Sequence, residues 1–270
     1  MGTLSETKEN EKVCFYCGKP YVLKRFEFTG NGALKNVLIQ RFGESAIYQY
    51  CADCDCERNA WYEQKAKEEA KERQELLNKR FENSMMSPLF REKRFENLNP
   101  CEHLAFCRRY AQKFKPKYSQ GLCLIGETGT GKTTLLAAIC NELIEKGYTC
   151  LFMTFSGLIE NLLTYSAENS GNLSDRLEWL RSFDFVVLDD IGRESYNTER
   201  RNEIAFRIID TLLNYKVVTS ISGNPEMISR LKDVWQQNAA VDRLRQMCPI
   251  NLSFNGESYR GKNQFGFNDN

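Results

Sequence analysis

Histidine is almost missing from this 270-residue chain: His103 is the only one. A metal site elsewhere along the sequence must therefore be built from other ligands. Net charge is nearly missing too, with 37 Lys and Arg against 36 Asp and Glu. Global charge therefore does not select a nucleic-acid partner, and any such contact needs a local basic patch. No apolar run approaches the roughly 18–20 residues that a bilayer-spanning helix requires, so no membrane partner is expected. The opening stretch Met1-Gly-Thr-Leu-Ser-Glu-Thr-Lys-Glu-Asn10 lacks the basic and apolar regions of a secretory signal. A reducing compartment, by default the cytoplasm, is the expected setting.

Cysteine, by contrast, is plentiful: eleven residues, clustered toward the front. In a reducing compartment thiols serve as metal ligands or buried hydrophobes more than as disulfides. Cys14-Phe-Tyr-Cys17 is one C-x-x-C pair, and Cys51-Ala-Asp-Cys54-Asp-Cys56 supplies a second with a spare thiol. Two such pairs offer four thiolates to a tetrahedral Zn²⁺. Cys14, Cys17, Cys51 and Cys54 are the expected ligands, with Cys56 as the substitute. Between the pairs, residues 22–28 and 36–42 read as short strands around the Gly30-Asn-Gly32 turn. So small a module has a marginal core, which makes the metal structural rather than catalytic. Cys101, Cys107, Cys123, Cys140, Cys150 and Cys248 fall in apolar patterns and read as ordinary core or surface thiols.

Glycine and proline vanish between Glu57 and Asn83. Tyr62, Ala66, Ala70, Leu77 and Phe81 leave a thin apolar stripe among interleaved charges, the pattern of a solvated helix that spaces two modules. Pro88 then disfavours helical geometry at Ser87 and ends it. The expected division is a cysteine-rich module over 1–56, a charged helical linker over 57–87 and a larger domain over 88–270.

In that domain helices and strands alternate, as in an α/β parallel sheet. Residues 121–125 form an apolar run that feeds into Gly126-Glu-Thr-Gly-Thr-Gly-Lys-Thr-Thr134. This is the G-x-x-x-x-G-K-[ST] spacing of a phosphate cradle. Backbone N–H groups across Gly126, Glu127, Thr128, Gly129, Thr130, Gly131 and Thr134 would face a triphosphate, backed by the positive end of the following helix. Lys132 would reach the β- and γ-phosphates, and the Thr133 hydroxyl would help hold Mg²⁺. Phe185-Val-Val-Leu-Asp-Asp190 is a buried strand that delivers two carboxylates at its end. Asp189 would hold Mg²⁺, and Asp190 would orient or deprotonate the attacking water. The strand over 217–222 ends in polar groups, and Ser222 or Asn224 could sense the γ-phosphate. A helix over 239–247 carries Arg243 and Arg245, and an arginine offered to a neighbouring site can stabilise transition-state charge.

Phe95-Glu-Asn97, the phosphate loop, Leu188-Asp-Asp-Ile-Gly192, Asp242-Arg-Leu244 and Ser258-Tyr-Arg260 together resemble the DnaC/DnaI helicase loaders. These form a branch of the AAA+ ATPases that includes the IstB transposition helpers. The resemblance covers residues 84–262. It implies an AAA+ P-loop fold of three layers around a five-stranded parallel sheet, with ATP as ligand and the active site completed between subunits. Arg243 matches the arginine-finger position, and Arg260 lies near a second γ-phosphate sensor. Loaders similar to DnaI carry a cysteine-rich zinc module that docks on the replicative helicase, whereas IstB-type proteins typically lack one.

The implied activity is slow ATP hydrolysis, stimulated by partner or DNA, in a loader that self-assembles on ATP. It would deliver a replicative DNA helicase onto single-stranded DNA at the initiation of replication. The alternatives are an IstB-like transposition helper and a zinc adaptor that binds ATP without hydrolysing it. Asp190 stands where wider AAA+ proteins carry Glu, and the shorter side chain stands further from the water. DNA-contact candidates are Arg176, Arg181, Arg193, Arg200, Arg201 and Arg207.

Overall fold

The computed structural model describes residues 13–25, 33–42, 48–52, 54–168, 173–192, 199–226, 239–256 and 258. The chain divides into two compact units, Met1–Gln74 and Glu75–Asn270.

In the first unit, β1 (Tyr21–Arg25) pairs antiparallel with β2 (Tyr48–Ala52), with Tyr21 opposite Ala52 and Arg25 opposite Tyr48. The segment between them corrects the sequence reading: residues 36–42 are no strand but belong to helix α1 (Ala33–Phe42). Val37, Leu38 and Ile39 make a β-like run. However, Leu34, Leu38 and Phe42 also recur every four residues, and short apolar runs are ambiguous between the two periods. The strand partner comes instead from Tyr48-Gln-Tyr-Cys-Ala52, whose tyrosines alternate. The proposed turn at Gly30–Gly32 lies outside the described residues. Helix α2 (Cys56–Asn83) follows, exposed along almost its whole length as far as Leu76, in keeping with its thin apolar stripe.

The last turns of α2 belong to the second unit, where Leu77 and Phe81 pack against the core. Pro88 acts as read: Ser87 is extended at ψ 152°, and Pro88 opens the short helix α3 (Pro88–Arg91) at a position that needs no N–H donor. A 3₁₀ turn (Phe95–Asn97) and α4 (Leu104–Lys113) lead into the sheet.

Five strands follow: β3 (Leu122–Gly126), β4 (Cys150–Thr154), β5 (Phe185–Ile191), β6 (Val218–Gly223) and β7 (Ile250–Phe254). They are all parallel, in the order β4-β5-β6-β3-β7. Because side chains alternate across a strand, Val186 and Leu188 join one apolar cluster while Phe185 and Val187 join the other. The first is covered by α6 (Phe155–Glu168), α7 (Leu173–Leu180), α8 (Glu199–Asn214) and α9 (Ala239–Met247). The second is covered by α4 and α5 (Lys132–Glu145). The result is the expected three-layer sheet. At the β4 edge, Phe152 N–H donates to the carbonyl of buried Ser84 (2.8 Å), so the turn after α2 blunts that edge.

Candidate functional site

The sheet is central to the site because β3 ends at the glycine loop. Gly126 lies so close to β7 that a Cβ on it would stand 2.4 Å from the Phe254 carbonyl oxygen. Gly131, at φ 93°, is the cap residue from which α5 starts, a backbone conformation that L side chains rarely adopt. The sequence therefore needs glycine at both places for different reasons: close approach at the first, left-handed backbone at the second.

Lys132 is the first residue of α5 and is buried. Its Nζ donates to the carbonyls of Gly126 (2.7 Å) and Glu127 (2.6 Å), and Thr130 Oγ1 lies 3.4 Å away. Thr130 in turn donates to Glu127 O at 2.8 Å. The ammonium is thus folded into the loop that would cradle phosphate oxygens, and those oxygens can replace carbonyls as its acceptors.

The acids of β5 complete the floor. Thr133 Oγ1 donates to Asp189 Oδ1 at 3.1 Å, bridging α5 and β5. Fully buried Ser222, on neighbouring β6, donates to the same carboxylate oxygen and accepts from Asp190 N–H at 3.0 Å. Burial pushes the Asp189 carboxyl above its usual range, the Ser222 hydroxyl pulls it back, and the Asp190 charge raises it further. A buried carboxylate between two hydroxyls fits a divalent cation, which would relieve that upward pressure.

The two acids also break the strand's alternation. The β5–β6 register runs from Leu188 opposite Ile221 to Ile191 opposite Gly223, so β5 spends one extra residue. Asp190 sits at φ 54°, in left-handed backbone. In an unbulged strand successive side chains would face opposite sides of the sheet. The bulge falls on these two acids and re-aims the chain at the sheet's carboxyl end.

Beyond the strand end, Asn224 Nδ2 donates to Glu127 Oε2 of the phosphate loop at 3.3 Å. Of the two sensor candidates, Ser222 therefore holds the acids, while Asn224 touches the loop. Sequence reasoning offered both residues but missed this division, which depends on the β5–β6 register.

The arginines are mostly engaged within the domain. Arg243, on α9, pairs with Asp210 at 3.2 Å and lies over the Phe206 ring at 4.4 Å. Its Nη1 is buried without a hydrogen-bond partner among the described residues. Arg176 lies over Trp179 and Tyr165, Arg181 over Tyr215, and Arg201 pairs with Glu160. Arg207 pairs loosely with Glu203 at 3.8 Å. Arg200 lies on α8 and is exposed. Arg193 and Arg260 lie outside the described residues.

In the first unit, the sulfurs of Cys14, Cys17, Cys54 and Cys56 all lie within 4.8 Å of one another. The knuckle around Cys14 is held by Cys14 N–H to Lys19 O and Gly18 N–H to Cys14 O, both 2.8 Å, with Gly18 at φ 70°. Pairing of Tyr21 with Ala52 then returns the chain so that Cys54 and Cys56 follow beside Cys14 and Cys17. Cys56, the substitute in the sequence reading, is the fourth sulfur among the described residues. The backbone of Cys51 lies opposite Val22 in the ladder, and its side chain lies outside the described residues.

The backbone N–H of Lys19, with help from neighbouring thiols, lowers Cys17 to about 7. At Cys54 the backbone N–H of Cys56 pulls downward, but burial and the three other thiols outweigh it and push it up to about 12. Four crowded thiols cannot all ionise alone. Sulfurs at this spacing suit the roughly 2.3 Å bonds of tetrahedral zinc, which would draw all four to thiolate.

Fold, phosphate loop and acid-bearing strand define a AAA+ P-loop domain that binds ATP. A family model described as IstB-like ATP binding protein matches residues 111–266, more than half of the chain. Replicative helicase loader DnaC of Escherichia coli (strain K12) is 30% identical over 194 residues, covering 69% of this chain and 76% of that protein. Replicative helicase loader DnaI of Bacillus subtilis (strain 168) is 29% identical over 151 residues, covering 56% of this chain and 45% of that protein.

Among solved structures, the crystal structure of the DnaC helicase loader matches with a TM-score of 0.54 at 22% identity, covering 63% of this chain and all of that one. Replication initiator DnaA bound to AMPPCP and single-stranded DNA matches at 0.53 with 19% identity, covering 64% and 52%. The structural likenesses speak for the fold alone. The chain belongs to the IstB-like ATP-binding family, within its branch of DnaC/DnaI-type helicase loaders. No helix among the described residues is long and apolar enough to cross a membrane.

Proposed function

We propose that this protein is a cytoplasmic, ATP-dependent loader that holds a replicative DNA helicase and releases it onto single-stranded DNA during initiation. The observation that carries the reading is a Thr133–Asp189–Ser222 floor beneath a complete phosphate loop, in a chain 30% identical to a named helicase loader. Lys132 would bind the β- and γ-phosphates. Thr133 and Asp189 would hold Mg²⁺, which when bound neutralises charge on those oxygens. Asp190 would position the attacking water, and its short side chain favours slow turnover suited to a timed switch. Arg243 would act on the site of a neighbouring subunit once ATP brings copies together, exchanging Asp210 for the γ-phosphate. Arg260 would serve as the second sensor.

Zinc on Cys14, Cys17, Cys54 and Cys56 would fix the small first unit as the docking module for the helicase. This four-thiol cluster favours the loader over the transposition helper, whose family resemblance does not call for it. The match to an IstB-like family model keeps the helper as the second reading. Helicase capture separates the two, since a transposition helper would not retain a replicative helicase. ATPase rates with and without single-stranded DNA, compared with Lys132→Ala, test hydrolysis itself. No turnover under any condition would leave a non-hydrolysing adaptor.

A further inference from the structure

From His103 to Gly126 the chain carries five Lys and Arg residues and no acidic one, in a sequence whose charges nearly balance overall. The structure turns this stretch into a surface. Phe106, Arg109, Tyr110 and Lys113 on α4, with Tyr118, Ser119 and Gln120 from the loop that follows and Ile250 from β7, line a groove of about 420 Å³. Gln120 and Ile250 lie at the amino ends of β3 and β7, so the groove sits at the opposite end of the sheet from the phosphate loop.

One of the five, Arg108, is paired with Glu96, just as Arg94, Arg201 and Arg243 elsewhere in the domain each face a carboxylate. Arg109, Lys113, Lys115 and Lys117 are exposed and have no acidic partner among the described residues. Aromatic rings are interleaved with them: Tyr118 is 86% exposed and Phe106 37%. The loop that carries Tyr118 is fixed rather than loose. Ser119 N–H donates to Lys115 O (2.9 Å), Lys115 N–H donates to Ser119 Oγ (2.8 Å), and Tyr110 Oη donates to Gln120 O (2.8 Å). Exposed rings beside uncompensated cations are the chemistry of single-stranded nucleic acid: phosphates meet the charges and bases stack on the rings.

We infer that this groove is a binding surface for single-stranded nucleic acid, set on the far end of the sheet from the ATP site. It gives the DNA contact of the proposed loader a location and rests on that reading only for its purpose, since the residues argue for the ligand on their own. Phe106, Arg109, Lys113 and Tyr118 enter as binding residues, whereas Arg176 of α7 and Arg201 of α8 are engaged within their own domain.

The test is fluorescence anisotropy of a labelled oligo(dT) on the full-length protein with saturating ATP, between 50 and 200 mM salt. Arg109→Glu/Lys113→Glu should weaken binding at least tenfold and flatten the salt dependence by about 1.4 in log–log slope, about 0.7 for each phosphate no longer neutralised. Tyr118→Ala should weaken binding about tenfold through the missing stacking platform. The neutral pair Arg109→Gln/Lys113→Gln serves if the glutamates disturb folding, and ATP affinity should stay unchanged in every variant. Parent-like oligonucleotide binding in the variants would overturn the inference. So would their loss of an acidic Glu/Tyr peptide while oligo(dT) binding persists, which would assign the groove to a protein. Helicase capture by the same preparations tests the loader reading separately. Capture without oligo(dT) binding overturns the groove alone; oligo(dT) binding through the groove without capture overturns the loader alone.

Discussion

Ser222 ties the two acids of the site together, because one hydroxyl serves the Asp189 carboxylate and the Asp190 N–H. Removing it leaves a buried carboxylate with one hydroxyl donor fewer, and the bulge without a clasp. Ser222→Ala should lower the ATP hydrolysis rate about tenfold, the equivalent of about 1.4 kcal/mol in barrier. It should also raise the Mg²⁺ concentration needed for half-maximal rate, while nucleotide affinity changes little. Unchanged Mg²⁺ dependence would mean that Thr133 alone aligns Asp189.

The thiols allow a second check at the same scale. Burial pushes Cys107 up to about 12 and Cys123 to about 11, so at pH 8 almost none of either is thiolate, the reactive form. Cys140 and Cys248 are raised in the same way by full burial. Alkylation of the native protein at pH 8 should spare these four. A zinc chelator should newly expose the N-terminal thiols, Cys17 first because it is lowered to about 7. Labelling of the core thiols at the same rate would contradict the burial pattern.

At the scale of elements, the entry to β3 is packed backbone against backbone. A Cβ on Gly121 would stand 1.7 Å from the Thr219 carbonyl oxygen and 2.6 Å from that of Met247. Backbone on both sides cannot yield cheaply. Gly121→Ala should therefore cost about 2–3 kcal/mol of stability by urea unfolding, at the upper end of overpacking effects. Gly121 precedes β3 at its amino end, opposite the loop, which makes this a sheet defect rather than a nucleotide defect.

How far these elements could be read from sequence follows from the same physics. The strands over 121–125, 185–190 and 217–222 were legible, because buried parallel strands are short apolar runs bounded by helices with clear periodicity. The run over 36–42 misled because helix and strand periods coincide over so few residues, and the choice fell to pairing between β1 and the distant residues 48–52. The phosphate loop and Asp189 were legible from spacing. The Asp190 bulge and the Ser222 clasp were not, since both depend on a cross-strand register that no local pattern encodes. Cys56 was visible as a candidate, but its place beside Cys14 depends on how the hairpin returns the chain.

At the scale of the whole molecule, the proposed design joins a metal-fixed module to an ATPase whose cycle depends on neighbours. Arg243 now pairs with Asp210 in its own chain, a partly exposed contact (31% and 36%) that a phosphate could replace. Arg243→Ala should leave ATP binding intact and reduce hydrolysis by at least about 10³-fold in assembled protein, the range for a removed arginine finger. Mixing it with Lys132→Ala protein should restore part of the rate, because each copy supplies what the other lacks. No recovery on mixing would place the catalytic site within one subunit.

The most direct measurement is co-purification of the host replicative helicase with the full-length protein, with and without ATP. A loader of this design should capture the helicase stably through the cysteine module, abolished by Cys14→Ser/Cys17→Ser but not by Lys132→Ala, with release that requires both ATP and single-stranded DNA. Failure of the parent protein to retain the helicase under every nucleotide condition would contradict it.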